Sequence, residues 1–255
     1  MDLNLISESA AEYRSGSQKA RIITEEWGQD NLFCPYCGNK EIKKYANNMP
    51  VADFYCDNCH EEYELKSKSG AIANKVPDGA YGTMIERINA VNNPNFFFMQ
   101  YSKRDFVIDN LIIVPKHFFK AEIIEKRKPL VPTARRAGWI GCNILIRDIP
   151  KQGKIYVIKN SIQQPVNEVI DTLHRTNFIA DYSLDKRGWL IDILSCINRI
   201  RTDTFNLQTM YSFEGELQIK HPENNHIKAK IRQQLQLLRD KGIIEFLGRG
   251  VYKKL

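Results

Sequence analysis

The stretch Phe33–Ser69, FCPYCGNKEIKKYANNMPVADFYCDNCHEEYELKSKS, carries two interlocked patterns. Two Cys-x-x-Cys pairs, Cys34/Cys37 and Cys56/Cys59, stand eighteen residues apart, and Gly38 closes the first. Such pairs offer four thiolates in a tetrahedron with little backbone strain, the ligand set of a structural Zn2+. Threaded through the second pair is Asp53, then ten residues, then Glu64-Leu65-Lys66. PVADFYC and EEYELKSKS read as paired strands with CDNC between them, which puts the zinc knuckle at the tip of a hairpin. On a strand Glu64 and Lys66 point to one face, and Asp53 on the partner strand brings a second carboxylate beside Glu64. Two hard oxygen ligands suit Mg2+, which bridges to a phosphate, while Lys66 can orient or help deprotonate an attacking water. The acid, acid, lysine spacing is weak by itself. A solvated strand face with Glu61, Glu62, Lys66 and Lys68 would look the same. His60, next to the last cysteine, reads as a neighbour of the site and not as a fifth ligand.

The chain has 255 residues, room for one large domain or two smaller ones. A charged fraction of 26% with ordinary apolar content indicates a folded, soluble chain, and a net charge of +7 favours an anionic partner without naming it. The N-terminal MDLNLISESAAEYRSGSQ lacks the basic start and apolar core of a secretory signal, and no apolar run is long enough for a membrane span. A cytoplasmic protein with no membrane partner is expected, and there thiols stay reduced, so the six cysteines argue for metal and against disulfides. Cys142 and Cys196, outside the pairs, read as ordinary buried residues.

The rest of the chain builds an α/β core with a mixed central sheet. QKARIITEEWGQDN is a helix that Ser17 can cap, with Ala20, Ile23 and Trp27 on one face. Asp78-Gly79 starts a second helix through AYGTMIERINAV, ending at Asn92-Asn93-Pro94. NFFFMQYS and NLIIVPKHFF are strands covered on both faces, KIYVIK is another, and PVNEVIDTLHRTNFI is a helix. The character changes near Asp181, which predicts domains at 1–182 and 183–255. The second is read as a winged helix: KRGWLIDILSCINRI, a short helix NLQTMYSFEGEL, a longer helix NNHIKAKIRQQLQLLRDKG and a hairpin turning at Gly248-Arg249-Gly250. Residues 183–255 hold 13 basic and 8 acidic side chains, against 24 and 22 before them, so the excess charge sits where a DNA contact needs it.

With VADFYCDNCHEEYELKSKSG, NNPNFFFMQYS, LIIVPKHFF, TARRAGWIGCNI and IRQQLQLLRDKGIIEFLGRG in view, the chain resembles the DpnI-type, Dam-replacing restriction endonucleases along essentially its whole length. The resemblance implies a PD-(D/E)XK nuclease core followed by a winged helix, cutting double-stranded DNA at GATC when its adenine is methylated to 6-methyladenine. It implies Asp53, Glu64 and Lys66 as the nuclease site and Cys34, Cys37, Cys56 and Cys59 as zinc ligands. Pro50 does not adjoin Asp53, so the "PD" is loose here.

Burying one methyl contributes only about 1 kcal/mol, roughly fivefold, so a single apolar pocket discriminates poorly. Both domains are therefore expected to test the methylated site. In the first, Arg135, Arg136 and Trp139 are the candidates: arginines for phosphate or guanine, and an indole face for a methyl, with flanking glycines letting the backbone approach. An interior Trp139 is the plainer alternative. In the second, Asn224, Asn225, His226, Lys228 and Arg232 fall in or near the first turns of the third helix, and Arg249 at the wing; Ile227, Ile231, Leu235 and Leu238 are that helix's core stripe. Competing readings are a non-catalytic zinc-ribbon, winged-helix regulator, a nuclease of this fold indifferent to methylation, and a thiol oxidoreductase, which the basic wing disfavours. One active site per chain is compatible with a monomer that acts twice.

Overall fold

The computed structural model describes residues 1–5, 15–46, 52–72, 74–90 and 93–255; the predicted "PD" proline, Pro50, lies outside them. Two compact units emerge, one formed by 1–149 with 153–176 and the other by 150–152 with 177–255. Among the described residues, no helix is long and apolar enough to cross a membrane.

The first unit opens with α1 (Gly16–Asn31). Ser15 holds the N-cap position, and Ser17, the predicted cap, lies inside the helix with its hydroxyl 2.9 Å from that of Ser15. Trp27 is buried and its Nε1 donates to the Asp2 carbonyl at 2.7 Å. Beyond α1 come β1 (Lys43–Lys44), β2 (Phe54–Tyr55) and β3 (Glu62–Ser69). As the alternation predicts, β2 and β3 pair antiparallel, with Phe54 opposite Tyr63. Gly28 of α1 makes room for Phe54, since a Cβ there would stand 2.7 Å from the ring.

The chain then leaves this sheet through β4 (Val76–Ala80) and α2 (Tyr81–Asn89) and returns as β5 (Asn95–Tyr101), which lies parallel to β3. β6 (Ile108–Val114) follows, and after an excursion through β7 (Ile124–Lys126) and β8 (Gly141–Ile144) come β9 (Ile155–Lys159), β10 (Ile162–Gln163) and α3 (Val166–His174). The result is a mixed seven-stranded sheet in the order β1-β2-β3-β5-β6-β9-β10. β5 is buried on both faces: Phe97 and Met99 join the cluster around Trp27 and Tyr63, while Phe96 and Phe98 stack on each other and Phe96 meets Phe119.

A second sheet, β4-β8-β7, was not legible in the sequence. Asp78-Gly79 predicts a helix start, because Asp-Gly suits an N-terminus, but both residues fall in β4 (Val76–Ala80). That strand pairs with β8, a bulge between Asp78 and Ala80 absorbs Gly79, and the helix starts only at Tyr81. Cross-chain hydrogen bonding overrides the local signal.

In the second unit, α4 (Leu184–Arg199) is buried along most of its length. The segment predicted as one short helix is three elements: β11 (Thr204–Asn206), α5 (Leu207–Tyr211) and α6 (Glu214–Lys220). Asn206 causes the first break, because its side chain accepts from Thr209 N–H at 2.8 Å and caps α5. α7 (Ile227–Asp240) buries Ile227, Ile231, Leu235 and Leu238, the predicted stripe. The wing, β12 (Ile244–Gly248) and β13 (Val251–Lys254), turns through positive φ at Gly248, Arg249 and Gly250, and β11 adds a third strand beside β13. Helix, turn, helix and wing make this an HTH unit of the winged type.

Candidate active site and metal centre

The two cysteine pairs fold as near copies of one knuckle. Gly38 N donates to Cys34 O at 2.9 Å and Cys34 N to Asn39 O at 2.8 Å; His60 N donates to Cys56 O at 2.9 Å and Cys56 N to Glu61 O at 3.0 Å. Each knuckle closes through a left-handed residue, Gly38 at φ 76 and His60 at φ 61. His60 thus serves the turn that glycine serves in the first knuckle. All four Sγ atoms lie within 4.8 Å of one another, with Cys34 to Cys59 at 3.5 Å and Cys37 to Cys56 at 3.6 Å. A tetrahedron with Zn–S bonds of 2.3 Å has edges of about 3.8 Å, so the four thiols fit a zinc ion and close it off from further ligands. The Tyr63 hydroxyl lies 3.0 Å from Cys34 Sγ and ties the centre to β3. Burial pushes the Cys34 thiol up to about 11, so loading the centre with a cation must expel protons.

Tyr63 and Leu65 of β3 face the core, and Glu64 and Lys66 face the other way, into a groove of about 780 Å3. Asp53 lines the same groove. Its backbone N–H donates to Tyr63 O at 2.9 Å and its Oδ2 accepts from Leu65 N–H at 2.8 Å, so the carboxylate is held by β3 itself. Lys66 Nζ forms ion pairs with both Glu64 and Asp78. Burial pushes the Glu64 carboxyl up to about 7; Lys66 opposes the shift, and Asp78 and Asp53 add to it. Burial also raises Asp53, against the hydrogen bond from Leu65. For Lys66 burial works downward, but Glu64 and Asp78 prevail and hold it above its usual value. Lys66 divides its ammonium between the Glu64 and Asp78 carboxylates, and Arg21, Lys68 and Lys103 also border the groove. What suits a divalent cation is the pair of hard carboxylate donors, Asp53 next to β2 and Glu64 on the adjoining β3. Asp53 and Glu64 are the residues that could hold it.

Two contributors escaped the sequence reading. Asp78 is one, because it was assigned to a helix start. The other is α1, whose Gly16, Ser17, Ala20, Arg21, Thr24 and Glu25 form one wall of the groove. Glu25 is buried and pairs with Arg21 and, at 2.9 Å, with Lys44. The Ala20, Ile23 and Trp27 periodicity marked only the apolar side of this helix. The polar residues that flank Ala20 in the groove wall carry no sequence motif.

The candidate base-reading residues divide. Arg135 and Arg136 are exposed, and Trp139 is half-buried, not interior. They sit on the β7–β8 connection, which is pinned by Leu130 N to Trp139 O at 3.0 Å and Gly138 N to Leu130 O at 3.1 Å. Of the flanking glycines, Gly138 has open space around it at φ 77, and Gly141 lies under the Trp139 indole, where a Cβ would be 2.8 Å from the ring. In the second unit Asn224 Oδ1 accepts from His226 N at 2.8 Å, so this amide builds the turn into α7. Asn225 and His226 are exposed beside it, with His226 at the N-cap position. Lys228 pairs with Glu214 at 3.3 Å, and Arg232 donates to the Tyr211 hydroxyl at 2.6 Å. Arg249 is exposed at the tip of the wing.

A family model described as the Dam-replacing family matches residues 1–182, and one described as the Dam-replacing HTH domain matches residues 185–254.

Two outcomes follow from this geometry. Native mass spectrometry of protein purified without chelator is expected to find one zinc per chain. Cys37→Ser should lower that occupancy and the thermal midpoint together; zinc retained at full occupancy would sink the four-thiolate site. The second concerns Glu64. Its folded pKa is raised, so the native chain binds the proton more tightly than the unfolded one. The cost is absent below the ordinary carboxylate range and grows as pH climbs from there towards 7. In metal-free protein Glu64→Gln should therefore raise the unfolding free energy at pH 8 by up to about 3 kcal/mol and much less at pH 4. Urea titrations at the two pH values check it, and an equal change at both would refute the assigned burial cost.

Proposed function

The chain belongs to the Dam-replacing, DpnI-type family, and on that premise we propose that it is a magnesium-dependent type II restriction endonuclease. Its proposed substrate is double-stranded DNA at GATC sites whose adenines carry a methyl on the exocyclic amine. Membership supports the coarser statement, a methyl-directed restriction nuclease with a DNA-binding HTH domain. The observation that supports the active-site assignment is the convergence of the half-buried Asp53, Glu64 and Lys66 side chains on one groove, with Glu64 paired to Lys66.

In this reading the PD-(D/E)XK residues divide the work. Asp53, fixed by the Leu65 N–H, and Glu64 hold the cation. When bound, a divalent cation supplies Lewis-acid stabilisation of charge on the phosphate. The Lys66 ammonium offers donors that hold the attacking water in line and stabilise the extra negative charge of the transition state. Cys34, Cys37, Cys56 and Cys59 bind zinc as scaffolding, away from the reaction. The division at residues 182 and 183 separates the cutting domain from a second reader.

Methyl reading is assigned to both domains. The half-buried Trp139 indole, on the connection that also carries the exposed Arg135 and Arg136, has apolar surface suited to the methyl that replaces one amine hydrogen in the major groove. Asn225, His226, Lys228, Arg232 and Arg249 supply polar and cationic groups around α7 and the wing, and Asn224 acts through the turn. Two weak preferences multiply into a usable one, as two methyl groups per duplex site allow. The protein is taken to work as a monomer that cleaves the strands in turn.

Matched plasmids prepared with and without adenine methylation, digested with magnesium or with chelator, test the whole reading. Fragments are expected only from methylated plasmid with magnesium. A mobility shift without fragments would make the protein a regulator, and equal cutting of both plasmids a methylation-independent nuclease. Asp53→Ala should abolish cutting and keep methyl-dependent binding. Trp139→Ala should narrow the difference in rate between fully methylated, hemimethylated and unmethylated duplexes by roughly tenfold or less; equal slowing on all three would make Trp139 structural.

A further inference from the structure

Asp78 is an acidic residue in the groove region that the Asp, Glu, Lys pattern does not include. Its side chain is 6% exposed and its carboxylate pairs with the same Lys66 Nζ that pairs with Glu64. The bulge at Gly79 gives it a defined orientation, since Gly79 N donates to Asp78 Oδ1 at 2.7 Å and Cys142 Sγ lies 3.5 Å from Gly79 O. β4, which carries it, belongs to the smaller sheet. There Asp78 stands opposite Cys142, and Tyr81 N donates to Ile140 O at 3.0 Å. β8 begins two residues past Trp139, so one sheet carries both the Lys66 anchor and the Arg135–Trp139 loop.

A lysine ammonium sits on a flexible four-carbon stem and takes its direction from its partners. With Glu64 as sole partner, Lys66 would lose its anchor once Glu64 turns to a cation. A second buried carboxylate from another sheet gives the ammonium a fixed point that cation binding does not consume. We propose that Asp78 is a positioning residue for DNA cleavage, holding the Lys66 ammonium in place while Glu64 engages the cation, and that the sheet bearing the Trp139 loop supplies this anchor. The inference rests on the nuclease reading above and adds to it a residue that acts only through Lys66. It also puts the Lys66 anchor and the Trp139 loop on one hydrogen-bonded sheet.

The test compares wild type, Asp78→Asn, Asp78→Glu and Asp53→Ala in single-turnover cleavage of methylated plasmid across a magnesium titration. DNA affinity is measured in chelator by fluorescence anisotropy. Asp78→Asn should slow cleavage at saturating DNA and magnesium by about 100-fold, with DNA affinity and half-saturating magnesium within about twofold of wild type. Asp78→Glu, which keeps the charge on a longer arm, should recover about tenfold of that loss. At saturating magnesium and without DNA, in protein with 15N-labelled lysine, the exchange-protected ammonium signal that Lys66→Met removes should be present in wild type and lost in Asp78→Asn. Wild-type speed in Asp78→Asn overturns the proposal. So does a rise in half-saturating magnesium that accounts for the slowing, because Asp78 would then be a cation ligand. An unchanged Lys66 signal in Asp78→Asn overturns it too. Should Asp78→Asn fail to fold, Asp78→Glu carries the kinetic arm and its own Lys66 signal the spectroscopic one. Asp53→Ala at full activity, or a wild type that releases no fragments, defeats the nuclease reading instead, and the ammonium signal still decides whether Asp78 anchors Lys66.

Discussion

The hydrogen-bonded register of β3 governs everything that the groove contains. Phe54 opposite Tyr63 sets that register, and the period of two then sends Tyr63 and Leu65 inward and Glu64 and Lys66 outward. A slip of one residue would bury the charges in the aromatic core and put Tyr63 in the groove. Three contacts guard against it. The Tyr63 hydroxyl meets a thiol of the cysteine cluster, Asp53 N–H donates to the Tyr63 carbonyl, and Asp53 Oδ2 receives the Leu65 N–H. The metal centre and the candidate catalytic residues thus occupy opposite faces of one strand, and the cysteine cluster stabilises the register on which the groove depends.

Against that rigid register the groove itself is electrostatically uncomfortable. Glu64 is pushed up to about 7 chiefly by burial, and Asp53 is raised as well. Buried carboxylates without full compensation oppose folding, and such groups concentrate where binding or chemistry repays them. Lys66 relieves part of the strain through its two ion pairs, and α1 adds Arg21, whose own pKa is raised first by Glu25. A cation attracted to this groove replaces a cost by a set of ligand bonds. Stability and function therefore pull against each other at Glu64, in contrast to the closed thiolate site, where they coincide.

The HTH unit follows a separate logic. Its core stripe on α7 and the buried α4 settle the packing with apolar residues, leaving Asn225, His226 and Arg249 exposed. Lys228 and Arg232 are already engaged by Glu214 and Tyr211, which orders two long side chains before any partner arrives. Preordering of this kind reduces the entropy lost when a phosphate or base edge is contacted.

Local information determined much of this protein. The cysteine spacing, the alternation on β3, the twice-buried β5 and the i, i+4, i+8 stripe of α7 depend on residues near one another in the chain, so the order of the amino acids specified them. What required the tertiary structure was pairing between distant segments. Asp78 lies in a strand because β8, more than sixty residues later, offers it hydrogen bonds, and Asp-Gly alone signals a helix start. The polar wall of α1 acquires meaning only once it lies along the groove. Gly141 leaves the room that the Trp139 ring occupies. β11 exists because β13 returns beside it. Short-range periodicity is written residue by residue, whereas which carboxylate meets Lys66 is decided by strand partners that no single segment encodes.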